Sequence, residues 1–197
     1  MSDIYLGEVI SGSLSNWIIQ AWQWDQFPEF GSIVKLASGD LQLFGVVSDI
    51  KTGSDDGARQ PFAYQKTEIE LRRDQPQIFE FLRTNFTCLP IGYCLQHAWH
   101  YNLPPRPPRT HAFVAVATTQ DLASLCRQPG LLQALFSHAH RVESFEELLL
   151  AVLRQLRSHG LLTQELLMQL MEYLALLWAS DYRRLKLFMD RIEGFGI

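Results

Sequence analysis

No Gly-Lys-Ser or Gly-Lys-Thr occurs anywhere in these 197 residues. A phosphate loop needs GxxxxGK[ST], because its backbone amides cradle the phosphates and its lysine neutralises them. The closest glycine pair, Gly53 and Gly57, sits among Ser54, Asp55 and Asp56, whose carboxylates would repel phosphate. Cysteine is scarce: Cys88, Cys94 and Cys126 are an odd number with no CxxC pair. A disulfide framework is therefore not expected, and a reducing compartment fits better. A large charge of one sign is missing too, since 17 Lys and Arg against 21 Asp and Glu leave −4. General phosphate binders carry a basic surface, so non-specific nucleic-acid binding ranks low. The most apolar stretch, Leu161 to Ala179, is broken by Gln164, Glu165, Gln169 and Glu172. These are costly in lipid, and no membrane span is expected. The opening MSDIYLGEVISGS has no charged start followed by a long apolar run, so no signal peptide is expected either, and the expected location is the cytoplasm.

What is present is a folding composition, 47% hydrophobic and 19% charged. The length suits one domain or two small ones, and the texture changes near residue 118. Residues 1–118 are rich in Val, Ile, Phe, Trp and Tyr punctuated by Gly and Pro, while residues 119–197 are dominated by Leu, Ala, Gln, Glu and Arg. That shift from strand formers to helix formers predicts an α+β fold: a small N-terminal Greek-key-like β-barrel, then a C-terminal α-helical bundle. Strands are expected at Ile4–Ser11, Trp17–Gln23, Ser32–Ala37 and Leu41–Ile50, the last two joined by the Ser38-Gly39-Asp40 turn. Residues 53–60 read as a polar loop. Asp74 is expected to cap a short helix with Pro76 in its first turn and Ile78, Phe79, Phe81 and Leu82 on the buried side. Strands resume at Leu89–His97 and His111–Ala117. Further on, one or two short helices cover Gln120–His138. Ser144 and Glu147 form a capping box, Gly160 ends that helix, Thr163 caps the next, and Asp181 starts a third with Tyr182, Leu185, Phe188, Met189 and Ile192 buried.

The opening Leu6-Gly7-Glu8-Val9-Ile10-Ser11-Gly12, the strand Gly31-Ser32-Ile33-Val34-Lys35-Leu36 and the strand Leu43-Phe44-Gly45-Val46-Val47 follow one another in order. The closing Leu103-Pro-Pro-Arg-Pro-Pro-Arg109 then precedes Ala112-Phe113-Val114-Ala115-Val116-Ala117. In this order the segments resemble the HAS barrel, the small β-barrel of HerA-type DNA translocases and of ATP synthase subunits. The whole chain is similar to small cyanobacterial proteins that carry such a barrel and a helical tail. The resemblance spans residues 1 to about 118 and implies a barrel that serves as an assembly surface between subunits. The ATPase module that follows the barrel in those motors is missing, so their activity is not carried over.

The aromatics Trp17, Trp22, Trp24, Phe27 and Phe30 are dense. Trp24, Phe27 and Phe30 fall in the loop WDQFPEF, and an exposed aromatic loop is a good anchor for a protein partner. Arg72, Arg73, Arg106 and Arg109 would add a local basic patch if they converge. These seven residues are the expected partner-binding set. His97 and His100 would share a face on a helix but not on a strand, and the surroundings favour an extended segment, which speaks against metal binding. His138 and His140 lie at an expected helix end. Asp55-Asp56 lacks the other ligands of a calcium loop, and Glu68 and Glu70, alternating with Ile69 and Leu71, read as a half-exposed strand. The Pro-Pro-Arg run reads as a stiff segment lying across the barrel rather than a polyproline ligand. No catalytic, cofactor or metal residue is assigned. The leading expectation is a non-catalytic interaction or assembly factor that docks on a larger multisubunit complex. Behind it stands an accessory DNA-processing factor working with a HerA-type translocase, and last an enzyme with a site where barrel and helices meet.

Overall fold

The computed structural model describes residues 4–54, 63–127 and 130–194. Seven strands, β1 (Tyr5–Gly12), β2 (Trp17–Ala21), β3 (Ile33–Ser38), β4 (Leu41–Ser54), β5 (Leu82–Leu95), β6 (Ala98–His100) and β7 (Phe113–Val116), form one antiparallel sheet in the order β2-β1-β7-β3-β4-β5-β6. A further pairing of β2 with β5, Trp17 opposite Cys88 to Gln20 opposite Asn85, closes all but β6 into a six-stranded barrel. Strand β2 shows why: Trp17, Ile19 and Ala21 point inward and are buried, while Ile18 and Gln20 between them are half-buried. Gly7 lets β1 and β2 approach closely, since a Cβ there would lie 2.3 Å from the Gln20 carbonyl oxygen. Bulges on either side of it, between Tyr5 and Gly7 and between Val9 and Ser11, bend β1 around the cylinder. The β3–β4 hairpin turns at Gly39-Asp40, with Ser38 opposite Leu41 and Gly39 at φ +69.

Seven helices accompany the barrel among the described residues: α1 (Glu68–Asp74), α2 (Gln77–Glu80), α3 (Thr119–Cys126), α4 (Gly130–Ser137), α5 (Phe145–Ser158), α6 (Gln164–Leu177) and α7 (Tyr182–Glu193). The barrel interior is filled by Val9, Trp17, Ile19, Val34, Leu36, Leu43, Val47, Phe86 and Cys88. On the other side of the same wall, Ile33, Phe44, Val46, Leu89 and Ile91 join Leu131, Leu135, Phe145, Leu148, Leu149 and Val152 of the helices in a second core. Strands β3 to β5 are thus buried on both faces there, which explains their nearly unbroken apolar runs. The apolar packing crosses residue 118 without a gap. Gly31, at φ +81, sits where a Cβ would come 2.5 Å from Ala151 Cβ, so α5 presses directly on the chain entering β3. Nearby, Gln155 Nε2 donates to Ser32 Oγ at 2.7 Å. On β3, Lys35 faces the helices and places Nζ 2.8 Å from Asp121 Oδ2 on α3.

Several expectations are corrected. Glu68 and Glu70 lie on helix α1, because Thr67 and Glu70 form a reciprocal capping box and Glu68 pairs with Arg72 one turn on. Asp74 ends that helix instead of starting one, and its carboxylate meets Lys66 Nζ and Arg73 Nε, each at 2.9 Å. Helix α2 starts at Pro76 without a side-chain cap, and neither it nor α1 holds a fully buried residue. Phe81 is exposed, and Leu82 already belongs to β5, whose early start follows from its long pairing with β4. Ser144 precedes α5 but makes no cap hydrogen bond, so no capping box forms with Glu147. Tyr182 is 77% exposed, while Phe188 and Ile192 further along α7 are buried. Thr163 and Asp181 cap as expected, accepting from the amides of Leu166 and Arg184. The Asp55-Asp56 pair and most of the loop 53–60 lie outside the described residues.

Candidate functional site

Beyond the end of β2 the chain leaves the barrel, and Thr84 on β5 anchors it by donating its hydroxyl to the Trp24 carbonyl. The capping box that builds α1 brings Arg72 to the same place, and α2 presents Phe79. The Trp24 and Phe79 rings lie 6.0 Å apart, tilted by 39°. The Arg72 guanidinium carbon sits 4.5 Å from the Phe79 centroid and 6.0 Å from that of Trp24, while its Nη2 reaches Glu68 Oε1 at 2.9 Å. Cation–π attraction of this kind is worth about 0.5–1 kcal/mol at an exposed site. Together these side chains wall a groove of about 360 Å³ that also touches Trp22, Asp25, Glu80 and Arg83. The Arg83 guanidinium folds back, donating from Nη1 to the carbonyls of Glu80 at 2.7 Å and Leu82 at 2.9 Å.

Trp22 also belongs to a second aromatic group on the barrel's outer wall. Its ring meets Phe113 edge-on at 5.1 Å, and Phe113 meets Tyr5 at 5.6 Å. Tyr5, Trp22 and Phe113 are 44%, 52% and 49% exposed, and Ile4 and Val116 are exposed too. Sequence reasoning missed Tyr5 and Phe113. The β1 bulges break the alternation that would have marked Tyr5 as outward-facing. On β7 the burial pattern over Phe113–Val116 is exposed, buried, buried, exposed, again without a period of two.

Of the expected partner-binding residues, the structure brings Trp24 and Arg72 together at the groove, and Arg106 and Arg109 together at the Gly39-Asp40 turn. Arg73 is exposed and engaged with Asp74. Phe27 stays exposed in the loop, but Phe30 packs against the helix-side core. Arg106 pairs with Asp40 at 2.9 Å, and Arg109 lies beside the same turn, within 3.8 Å of where a Gly39 Cβ would be. That turn adjoins Leu41 opposite Leu95, whereas Trp24 is held at Thr84, near the other end of the 14-residue β5. The four arginines therefore do not form one basic patch. The proline run does lie on the barrel: Pro104 and Pro108 are buried, and Pro108 covers Gly12.

The histidines and cysteines scatter. His97 sits exposed in the β5–β6 turn, and His100 stacks on Tyr93 at 4.7 Å. Cys88 fills the barrel interior, and burial holds its thiol far above the ordinary range. Burial also pushes Cys126 up to about 11. Both stay protonated at neutral pH and are poor nucleophiles. Among the described residues no group of three or more His, Cys, Asp and Glu side chains is placed to hold a metal ion. Where barrel and helices meet, a wider groove of about 670 Å³ is lined in part by Phe30, Asp49, Lys51, Arg141 and Glu143. Lys51 Nζ and Asp49 Oδ2 lie 3.1 Å apart there.

His138, just past α4, is 3% exposed, and its Nε2 lies 2.7 Å from the Pro90 carbonyl oxygen, to which it donates, while its Nδ1 is buried without a partner. Burial lowers its pKa from the ordinary 6.5, the Pro90 bond opposes this, and Arg141 and His140 add to the lowering. The unfolded chain thus binds this proton more readily than the folded one. Stability from this group is complete above about pH 6.5 and is lost as pH falls toward the folded value. Urea midpoints measured from pH 7.5 to 5 are expected to fall in the wild type and to fall less steeply in His138→Gln. Equal slopes would show that His138 is not the group responsible. No protein-family model matches the chain, and no curated protein matches it significantly.

Proposed function

We propose that the chain is a non-catalytic interaction protein, an assembly factor whose barrel docks on a larger multisubunit complex. The observation that carries this reading is the outward-facing aromatic group of Tyr5, Trp22 and Phe113, continuous through Trp22 with the Trp24–Phe79 groove. Contiguous exposed apolar patches, above all large ones rimmed by polar residues, mark interaction sites, and aromatic side chains dominate the binding energy of interfaces. The reading includes the HAS-like identity of the barrel, argued from the motifs quoted above. It also includes a Greek-key-like connection, in which β7 returns beside β3, a helical bundle over the C-terminal part, and a cytoplasmic setting. The closed antiparallel barrel ahead of the helices is consistent with it.

The test is the native size of the tagged chain in lysate of its source cells. The wild type is expected to elute far above the 22.7 kDa of the free chain, and a Trp22→Ser, Phe113→Ser double variant to elute as the free chain. Both side chains are about half exposed, so the variant's melting curve should stay close to wild type. A wild-type chain that elutes alone would overturn the reading.

A further inference from the structure

We propose that the groove between the Trp22–Asp25 segment and α2 receives an arginine-bearing, extended segment of a protein partner. This deepens the docking role argued above and rests on it. Four charged side chains touch the groove: Asp25, Arg72, Glu80 and Arg83. The two cations are already engaged, Arg72 with Glu68 and with the aromatic rings, Arg83 with the carbonyls of Glu80 and Leu82. Among the described residues, neither the Asp25 nor the Glu80 carboxylate has an ion pair or a side-chain hydrogen bond. Counted with Glu68, the partner of Arg72, three carboxylates stand against two guanidinium groups, so the groove carries one net negative charge. Its walls suit one carrier of positive charge in particular. Trp22, Trp24 and Phe79 line it, and Arg72 shows that a guanidinium lies over two of these rings, 4.5 Å from the Phe79 centroid and 6.0 Å from that of Trp24. A planar guanidinium stacks on an aromatic ring and bonds a carboxylate in a fork at the same time, which an ammonium does less well. The groove is open to the surface rather than enclosed, so it fits a side chain carried on an extended backbone better than an enclosed small molecule. The net charge of −4 favours the encounter with a basic segment.

The test uses the full chain labelled with ¹⁵N and a probe peptide, acetyl-Gly-Arg-Gly-Arg-Gly-Arg-amide. Saturable shifts of the Trp22 and Trp24 indole N–H signals are expected. The same peptide with glutamine for arginine should bind at least about tenfold more weakly, as should the arginine peptide to an Asp25→Asn, Glu80→Gln variant. A control with equal charge loss elsewhere, Glu172→Gln with Asp190→Asn, should bind like wild type; if it weakens as much, the attraction is general and the site assignment falls. The proposal is also overturned by no saturable shift up to millimolar peptide, by equal binding of the glutamine peptide, or by full binding to the groove variant. Sedimentation of the chain alone adds one more outcome. Self-association abolished both by the groove variant and by Arg106→Gln with Arg109→Gln would assign the groove to another copy of this chain and overturn the partner. If the peptide fails while the wild type still elutes as a large complex, only this assignment is lost. If the large complex is absent as well, the docking role goes with it.

Discussion

Asp121→Ala is expected to destabilise the protein by about 2–4 kcal/mol, more than any single exposed-surface change. Two losses combine at this position. Lys35 projects from the barrel wall toward α3 with only 9% of its side chain exposed, and Asp121, itself 19% exposed, holds its ammonium at 2.8 Å. Removing the carboxylate takes away the short ion pair of a largely desolvated ammonium. The same carboxylate also closes the start of α3, where Oδ2 accepts from the Thr118 amide at 2.9 Å and from its hydroxyl at 2.7 Å, and losing such a cap costs about 1 kcal/mol. The neutral pair Lys35→Met with Asp121→Asn should recover most of the loss, because no charge is then buried. Urea melts of the two single variants and the double decide it. If Asp121→Ala cost under about 1 kcal/mol, the pair would be solvated and the barrel–helix contact looser than described. The pH dependence has a definite sign. Burial opposes ionisation of Asp121, but the bonds from Lys35 and Thr118 outweigh it and hold the carboxyl below the ordinary 3.8. Its contribution is therefore complete above that value and lost as pH falls through the folded value.

The second large effect is expected inside the barrel. Trp17→Ala should cost about 3–5 kcal/mol, the usual range for emptying a buried aromatic site. Trp17 is fully buried and stands opposite Gly12 on β1 and Cys88 on β5. Gly45 makes room for it, since a Cβ there would lie 2.7 Å from Trp17 Cζ3. The surrounding wall is closed by main-chain pairing on every side, so it can relax little into the void. Trp17→Phe should be far milder, about 1–2 kcal/mol. Among the described residues the indole Nε1 is buried without a partner, so its removal strands no other group there and even relieves an unsatisfied donor. A Trp17→Ala variant as stable as Trp17→Phe would show that the interior collapses freely around the site.

The parts of this fold that could be read from sequence are those governed by local chemistry. The Gly39-Asp40 hairpin turn, the left-handed Gly160 at φ +68 and the caps Thr163 and Asp181 follow from what those side chains do to their own backbone. The errors arose in two ways, from local capping patterns that were misread and from contacts between segments far apart in the chain. Glu68 to Leu71 alternate like a strand, yet Thr67 and Glu70 satisfy each other's amides and tip the segment into a helix. Ser144 and Glu147 have the matching pattern but form no such pair. In the site, Trp24 was legible as a loop aromatic, but its neighbour Phe79 comes from a segment 55 residues later in the chain. Phe113 meets Trp22 only because β7 returns beside β1.

Closure of the barrel has one further consequence. Each of its six strands has a hydrogen-bonded neighbour on both sides over part of its length, while among the described residues β4 from Asp49 to Ser54 is paired with β5 alone. The one additional strand, β6, is three residues long. Within the closed part of the cylinder a binding partner therefore cannot lengthen this sheet, as peptide ligands do when they add themselves to an open margin. Over that closed wall, whatever a partner recognises must be written in side chains, so the specificity of such contacts is open to change by point substitution while the cylinder beneath stays intact.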